Sequence, residues 1–472
     1  MSKAQRSVIV PAVLVEVVEL LVHAYEQAMS LPDAKKLEWT VHEGLKEVDR
    51  RAMEICFQQK AREAQSNRIA EVRCKSCEEW AGLYQSEAPR YVITVRGRVD
   101  YQRPVFRCED RGCQVERCLF DEELGLEPKE HFTPMMQDKI AWSATTQDGF
   151  ARASADLAHQ VELPVSPTQV HRVFEKIGDR ALERQDEEVK RRGAPASLDK
   201  PVPVEERPET VVIELDGTCV MGRDGEGHEV KCATVFGLDA RATTGSPGKE
   251  RPILLRRCYC ATSKGIRPFG AMTWALATWW GVRSAKRVAV IGDGGEWIWN
   301  WSRERLHFTE PDGTVVAPVE ILDFYHAAEN LAKARNAIYA DPEAQAAKTW
   351  YDTWRTRLRQ GEIEPLIQEL QRRMRQAKDP LRQNELRTRA QYFEFHKERM
   401  RYRDYEAMNL PIGSGAIEGT CKNLIKGRMD GVGMRWDAEQ GIERMTALRV
   451  RLFNNRWSDL WPHGEFAQMK AA

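Results

Sequence analysis

Residues 210 to 221, Thr210-Val-Val-Ile-Glu-Leu-Asp-Gly-Thr-Cys-Val-Met221, decide the reading of the whole chain. The run is apolar and β-branched apart from Glu214, the pattern of a strand. Asp216 interrupts it. An Asp-Gly pair often marks a turn, but Gly222 to Gly227 (GRDGEG) already supplies one before the next apolar run, His228 to Asp239. Asp216 is then a charge inside a strand, which is costly without a partner such as a cation. Glu214, two residues earlier on the same face, is the reserve candidate.

Downstream, Pro252 to Ala261 reads as a third strand, Pro268 to Trp280 as a helix, Arg287 to Gly292 as a strand, Glu296 to Leu306 as a helix and Val319 to Asp323 as a strand. Three antiparallel strands followed by strands alternating with helices is the order of a ribonuclease H-like fold. There the first and fourth strands are neighbours, which brings Asp216 and Asp293 (VAVIGDGGEW) to one end of the sheet. Asp293 also suits a helix N-cap, and the glycines after it permit close approach of a metal or phosphate. Asp323-Phe-Tyr-His326 has the ordinary reading of a helix cap with a satisfied core histidine, and an auxiliary metal or phosphate role as the alternative.

From Phe324 to Arg403 the pattern is helical, with 17 Lys/Arg against 10 Asp/Glu between Leu331 and Arg403. The segment NLPIGSGAIEGTCK then delivers Glu418, 125 positions after Asp293. Glu418 suits the helix dipole and an i, i+4 pair with Lys422. At helical spacing Lys422 and Lys426 share its face, and Arg428 and Arg435 follow as further candidates for phosphate contact. Asp216, Asp293 and Glu418 supply the hard oxygen ligands that two Mg²⁺ or Mn²⁺ ions require.

Upstream, residues 8 to about 63 carry helical periodicity broken at Leu31-Pro32-Asp33, a helical hairpin. Cys74-Lys-Ser-Cys77, an alternating stretch from Tyr91 to Phe106, then Cys108 and Cys113, is the layout of a zinc ribbon, with Cys118 as a reserve ligand. Three helices follow, the last capped by Ser166 with Pro167 at its first turn. That helix offers His171 and Arg172 to a DNA groove if it is a recognition helix, and is an ordinary packing unit otherwise. Gln185 to Pro208, charged and then proline-rich, reads as a linker.

The 472 residues suffice for several domains, and 42% hydrophobic with 30% charged content describes a globular chain with a sizeable core. Lys plus Arg equals Asp plus Glu at 71 each, so affinity for nucleic acid would need local basic patches. The N-terminal apolar run carries Glu16 and Glu19 and lacks a signal-peptide pattern, and Pro268 to Val282 is too short to span a bilayer. Eleven cysteines without an export signal point to metal binding and buried thiols in a reducing cytoplasm.

The motifs LDGT, GDGGEWIW, LDFYHAAENL and NLPIGSGAIEGTCKNLIKGRM together resemble the DDE transposases of bacterial insertion sequences, most closely the ISKra family and more distantly the Mutator-like group. The similarity runs from about Cys74 to Trp457. It implies Asp216, Asp293 and Glu418 as the catalytic triad, Asp323 and His326 as a C/D-x-x-H motif, and a helical insertion before the last glutamate. The expected fold class is multidomain α/β, a ribonuclease H-like core with a helical insertion, preceded by a zinc ribbon and a helical DNA-binding unit.

The expected divisions are 1–66 (helical hairpin), 67–125 (zinc ribbon), 126–186 (helix-turn-helix-like unit), 187–208 (linker), 209–330 (first part of the core), 331–405 (helical insertion) and 406–472 (remainder of the core). The implied activity is binding of terminal inverted repeats, metal-dependent cleavage and strand transfer into target DNA. The implied assembly is a homodimer or higher oligomer, nucleoid-associated, with structural Zn²⁺ and two Mg²⁺ or Mn²⁺ ions and no membrane contact. The alternatives are a ribonuclease H-like nuclease or resolvase, and a non-catalytic DNA-binding regulator.

Overall fold

The computed structural model describes residues 14–31, 33–67, 72–193, 208–244, 251–254, 257–283, 285–309 and 315–461. Two compact units divide the chain, Met1–Phe174 and Glu175–Ala472. Together they make a mixed α/β protein.

In the first unit, α1 (Val15–Met29) and α2 (Ala34–Asn67) form the N-terminal hairpin. The two pack closely where Gly44 meets Ala24, since a Cβ on Gly44 would fall 2.3 Å from the Ala24 Cβ. A long hairpin follows, β1 (Ala81–Thr94) and β2 (Gly97–Cys108), extended by the short β3 (Glu116–Arg117) and by α3 (Leu119–Glu123). Its polar composition is held by a buried ionic knot: Asp121 accepts from Arg90 at 2.9 Å, Arg103 at 2.8 Å and the Tyr101 hydroxyl at 2.9 Å. A buried carboxylate is tolerable when satisfied in this way.

Helices α4 (Pro134–Thr146), α5 (Phe150–Gln160) and α6 (Pro167–Gly193) complete the N-terminal half. α6 starts with a capping box, in which Ser166 N–H donates to Gln169 Oε1 at 2.9 Å and Gln169 N–H to Ser166 Oγ at 3.3 Å. It does not stop where the linker was expected. The charged run at Gln185 to Arg192 stays helical because its charges find partners: Glu188 accepts from Arg451 and Arg456, each at 2.6 Å. Of the expected linker, residues 194–207 lie outside the described residues.

The second unit is built on one mixed sheet. Strand β4 (Thr210–Met221) pairs antiparallel with β5 (Gly227–Thr244), and β5 pairs with β6 (Arg251–Leu254) and β7 (Cys258–Thr262). The third strand expected from sequence, Pro252 to Ala261, is described as β6 and β7 on successive stretches of β5, and residues 255 and 256 lie outside the described residues. On the other side β4 runs parallel to β8 (Arg287–Gly292), and β8 parallel to β11 (Val319–Leu322). Between them come α7 (Ile266–Trp279), α8 (Glu296–Leu306) and a two-residue hairpin, β9 (Phe308–Thr309) with β10 (Val315–Val316), that the sequence did not suggest.

Thr210 to Leu215 is buried without interruption, because β4 is central and covered on both faces. Its side chains join those of β8, α7 and α8 in the core, which continues into the helices after β11. These are α9 (Phe324–Ile338), α10 (Gln345–Arg359), α11 (Ile363–Gln376), α12 (Pro380–His396) and α13 (Tyr402–Ala407). The chain then returns to the sheet with α14 (Gly415–Thr420), a π-helical turn (Cys421–Lys426), α15 (Gly427–Met429) and α16 (Gly441–Phe453). No helix among the described residues is long and apolar enough to cross a membrane.

Candidate metal centre and carboxylate site

In the first unit Cys74, Cys77, Cys108 and Cys113 bring their sulfurs within 4.8 Å of one another. Cys74 and Cys113 are 3.6 Å apart, and Cys77 and Cys108 3.4 Å. A tetrahedral Zn²⁺ with Zn–S of about 2.3 Å needs sulfurs about 3.8 Å apart, so four thiolates of this spacing fit it. The wider second knuckle is accommodated by a turn in which Cys113 and Gln114 both donate to the Asp110 carbonyl, at 3.1 and 3.2 Å. Cys118 is not in the cluster; it precedes α3 beside Asp121, and burial pushes its thiol up to about 11.

In the second unit, Leu215 faces Gly292 across the parallel β4–β8 pair, so Asp216 and Asp293 are the next residues along two adjacent strands. Asp216 is half-buried. Burial raises its carboxyl above the usual range and the charge of Asp293 adds to this, opposed by the Gly217 N–H on Oδ1 at 2.7 Å, by Cys421 and by His326. Asp293 accepts the Gly295 N–H at 3.0 Å on Oδ1, a tight turn made possible by Gly294 at φ +108°. A Cβ on Gly294 would also meet Leu322 Cδ1 at 3.1 Å and His396 Nε2 at 3.3 Å.

The helix carrying Glu418 packs on β4 and β5. Thr420 Oγ1 lies 2.8 Å from Thr234 Oγ1 of β5, and Cys421 Sγ 3.6 Å from Asp216 Oδ2. Glu418 lies three residues before Cys421, in the short helix that the π-helical turn continues. Glu418 itself is exposed. The groups of three or more potential ligands within 4.8 Å, among the described residues, are the four cysteines and the trio of exposed His42 and Glu43 with half-buried Glu162; Asp216, Asp293 and Glu418 do not form such a group.

Glu214 and Asp323 are both buried, at 1% and 3% exposure. Glu214 Oε2 accepts the Ile417 N–H at 2.8 Å. Burial foremost, with the nearby charge of Asp323, pushes the Glu214 carboxyl up to about 8 despite that bond. Asp323 Oδ1 caps α9 through the amides of Tyr325 and His326, and Oδ2 accepts both the N–H, at 2.8 Å, and the hydroxyl of Ser414. His326 is partly exposed, with Nδ1 3.7 Å from Glu329, and near enough to Asp216 to favour its charged form.

The basic candidates separate. Lys422, Lys426 and Arg435 are exposed, but the π-helical turn from Cys421 to Lys426 removes the i, i+4 facing that α-helical spacing implied. Arg449 of α16 donates to the carbonyl of Leu424 at 2.9 Å and to that of Asn423, meeting acceptors inside this wider turn. Arg428 is corrected: at 2% exposure, with its guanidinium over the Trp436 ring, it packs inside the unit and presents nothing to a DNA backbone. In the first unit Arg172 is exposed, whereas His171 packs edge-on against Phe150, 4.9 Å between centroids, which favours the packing role over base contact.

Three neighbours of the carboxylates were not foreseen. Cys421 could have been found as the residue one helical turn after Glu418. His396 and Tyr392 of α12 could not, because nothing in their spacing points to Asp293; the Tyr392 hydroxyl is raised by burial first and then by the charges of Asp293 and Asp323. A cavity of about 60 Å³ between residues such as Glu188, Tyr259, Met272 and Arg456 is lined by none of these carboxylates. Comparison with protein-family models and with curated proteins finds no match for this chain.

Proposed function

We propose that this chain is a DDE transposase with a ribonuclease H-like core, cutting DNA at the ends of an insertion sequence and joining the freed ends to target DNA. One observation carries the reading: Asp216 and Asp293 lie side by side at one end of the mixed sheet, and the chain segment that bears Glu418 returns to that sheet. Asp216 and Asp293 emerge from adjacent parallel strands, and the helix of Glu418 is bonded to Asp216 through Cys421. This is the residue set that the sequence resemblance implied.

The donors suit Mg²⁺ or Mn²⁺. They are hard carboxylate oxygens, and burial together with repulsion from Asp293 disfavours the charge on Asp216, a cost that a divalent cation offsets. In this reading Asp216, Asp293 and Glu418 are the residues that would hold the ions. Bound there, the ions would activate water or a 3′-hydroxyl and stabilise the leaving oxygen. The chain's own contribution is orientation: Gly217 N–H and Cys421 fix the Asp216 carboxylate, Gly295 N–H fixes Asp293, and exposed Lys422, Lys426 and Arg435 offer charge to DNA phosphates. In-line displacement at phosphorus needs no serine or tyrosine nucleophile.

The test is cleavage and strand transfer of labelled duplexes carrying the repeats that flank the gene, in Mn²⁺ or Mg²⁺, with Asp293→Ala as control. Wild-type products absent from the control support the proposal. Equal product from both, or none from either, rejects it.

A further inference from the structure

We propose that Glu214 and Asp323 are positioning residues for Glu418, two buried carboxylates that bind the first amides of its helix and lock that helix to the sheet. The inference rests on the transposase reading for its catalytic meaning, but its geometry stands alone. From Phe324 to Ile412 the chain leaves the sheet for five helices. Where it comes back, the Phe324 N–H donates to the Ile412 carbonyl at 2.9 Å and the Ser414 N–H to Asp323 Oδ2 at 2.8 Å. The last residue before the excursion therefore holds the first residues after it.

Asp323 serves two helix starts at once. Oδ1 takes the Tyr325 and His326 amides of α9, and Oδ2 takes the Ser414 amide and hydroxyl at the start of α14. Glu214, from the centre of β4, takes the Ile417 amide at 2.8 Å, one residue before Glu418. The first amides of a helix have no partner within the helix and must find one elsewhere when buried. Here the partners come from β4 and from the residue after β11, so the direction of α14 is referred to the same sheet that carries Asp216 and Asp293. Glu214 Oε2 and both oxygens of Asp323 are engaged in these bonds. The two acidic residues that look like spare ligands in sequence are a clamp on the third member of the triad.

The experiment compares full-length wild type with Glu214→Gln, Glu214→Ala, Asp323→Ala and Ser414→Ala. One readout is hydrogen exchange by mass spectrometry over residues 412 to 426. The other is the Mn²⁺ concentration giving half-maximal cleavage of a labelled repeat end. Glu214→Gln keeps an oxygen for the Ile417 N–H and should match wild type in both. Glu214→Ala and Asp323→Ala should speed exchange in that segment about ten-fold or more, with the rest of the unit unchanged. They should also raise the Mn²⁺ requirement and lower turnover about 100-fold, the scale of a small misplacement of a catalytic group.

If Glu214→Ala does not fold, Ser414→Ala, which removes a single hydroxyl contact, must still show the faster local exchange. Unchanged exchange in the alanine variants overturns the clamp. So does a Glu214→Gln variant as defective in Mn²⁺ response as Glu214→Ala, since that would make Glu214 a ligand. If wild type cleaves no DNA, the transposase reading falls, and the exchange arm still decides for or against the clamp.

Discussion

The Cys421 thiol lies 3.6 Å from Asp216 Oδ2 and joins residues 205 positions apart. Cys421 opens the π-helical turn that follows the short helix of Glu418, so this contact ties the end of that helix to the strand that carries Asp216. Glu418→Gln is therefore expected to reduce cleavage about 100-fold or more while leaving affinity for the repeat within two-fold. Gel-shift and single-turnover assays on one preparation check both, and wild-type turnover by this variant would remove Glu418 from the site.

Gly294 occupies a backbone conformation that disfavours side chains, at φ +108°, and its α-hydrogen faces Leu322 and His396. Gly294→Ala should cost about 1–3 kcal/mol of stability and displace the Asp293 carboxylate. Urea unfolding followed by tryptophan fluorescence measures the first effect, and an unshifted midpoint would contradict this account of the glycine.

His396 is held down to about 4 by burial, with the charge of Arg399 adding to it. Its ordinary value is about 6.5. Between those values the unfolded chain takes up a proton that the folded chain refuses, so stability present above pH 6.5 is lost as the pH falls toward 4. The slope from this group alone reaches about 1.4 kcal/mol per pH unit. His396→Gln should flatten that part of the stability profile, measured by denaturant unfolding at pH 7 and pH 5, and an identical slope in the variant would count against it.

Elemental analysis should find one zinc per chain. Cys77→Ser should lose it together with the order of the β1–β2 hairpin, as expected where a metal replaces a core. Cys118→Ser should keep it, because Cys118 stands outside the four-sulfur cluster. Zinc loss in the Cys118 variant would reverse the ligand assignment.

Arg428 and its neighbours should separate in a salt titration of repeat binding. Lys422→Ala and Lys426→Ala remove exposed charges and should each flatten the dependence of log K on log salt by about 1. Arg428→Ala removes a buried guanidinium packed on Trp436, so it should lower thermal stability without that flattening. A flattened slope in a stably folded Arg428 variant would return this residue to the DNA-facing set.

Much of the second unit was legible because it is written in local patterns. The apolar run of β8, the α8 segment after Asp293-Gly-Gly and the Gly222–Gly227 turn were each read to the residue or nearly so. The failures had physical causes. A charged run reads as linker unless its ion-pair partners are known, and Glu188 finds Arg451 and Arg456 more than 260 positions away. An arginine reads as a surface charge until an aromatic ring such as Trp436 is folded over it.

By itself the sequence determined the periods, the punctuation and the chemistry on offer: strands about Asp216 and Asp293, a helix after Gly413-Ser414-Gly415, four cysteines on a hairpin. Those are fixed by neighbours along the chain. Only the tertiary structure decided which groups each carboxylate meets, because Glu214, Asp216 and Asp323 are chemically alike in sequence. They differ in what packs against them: Glu214 and Asp323 take amides at the start of the Glu418 helix, whereas Asp216 takes that of its neighbour Gly217 and stands beside Asp293.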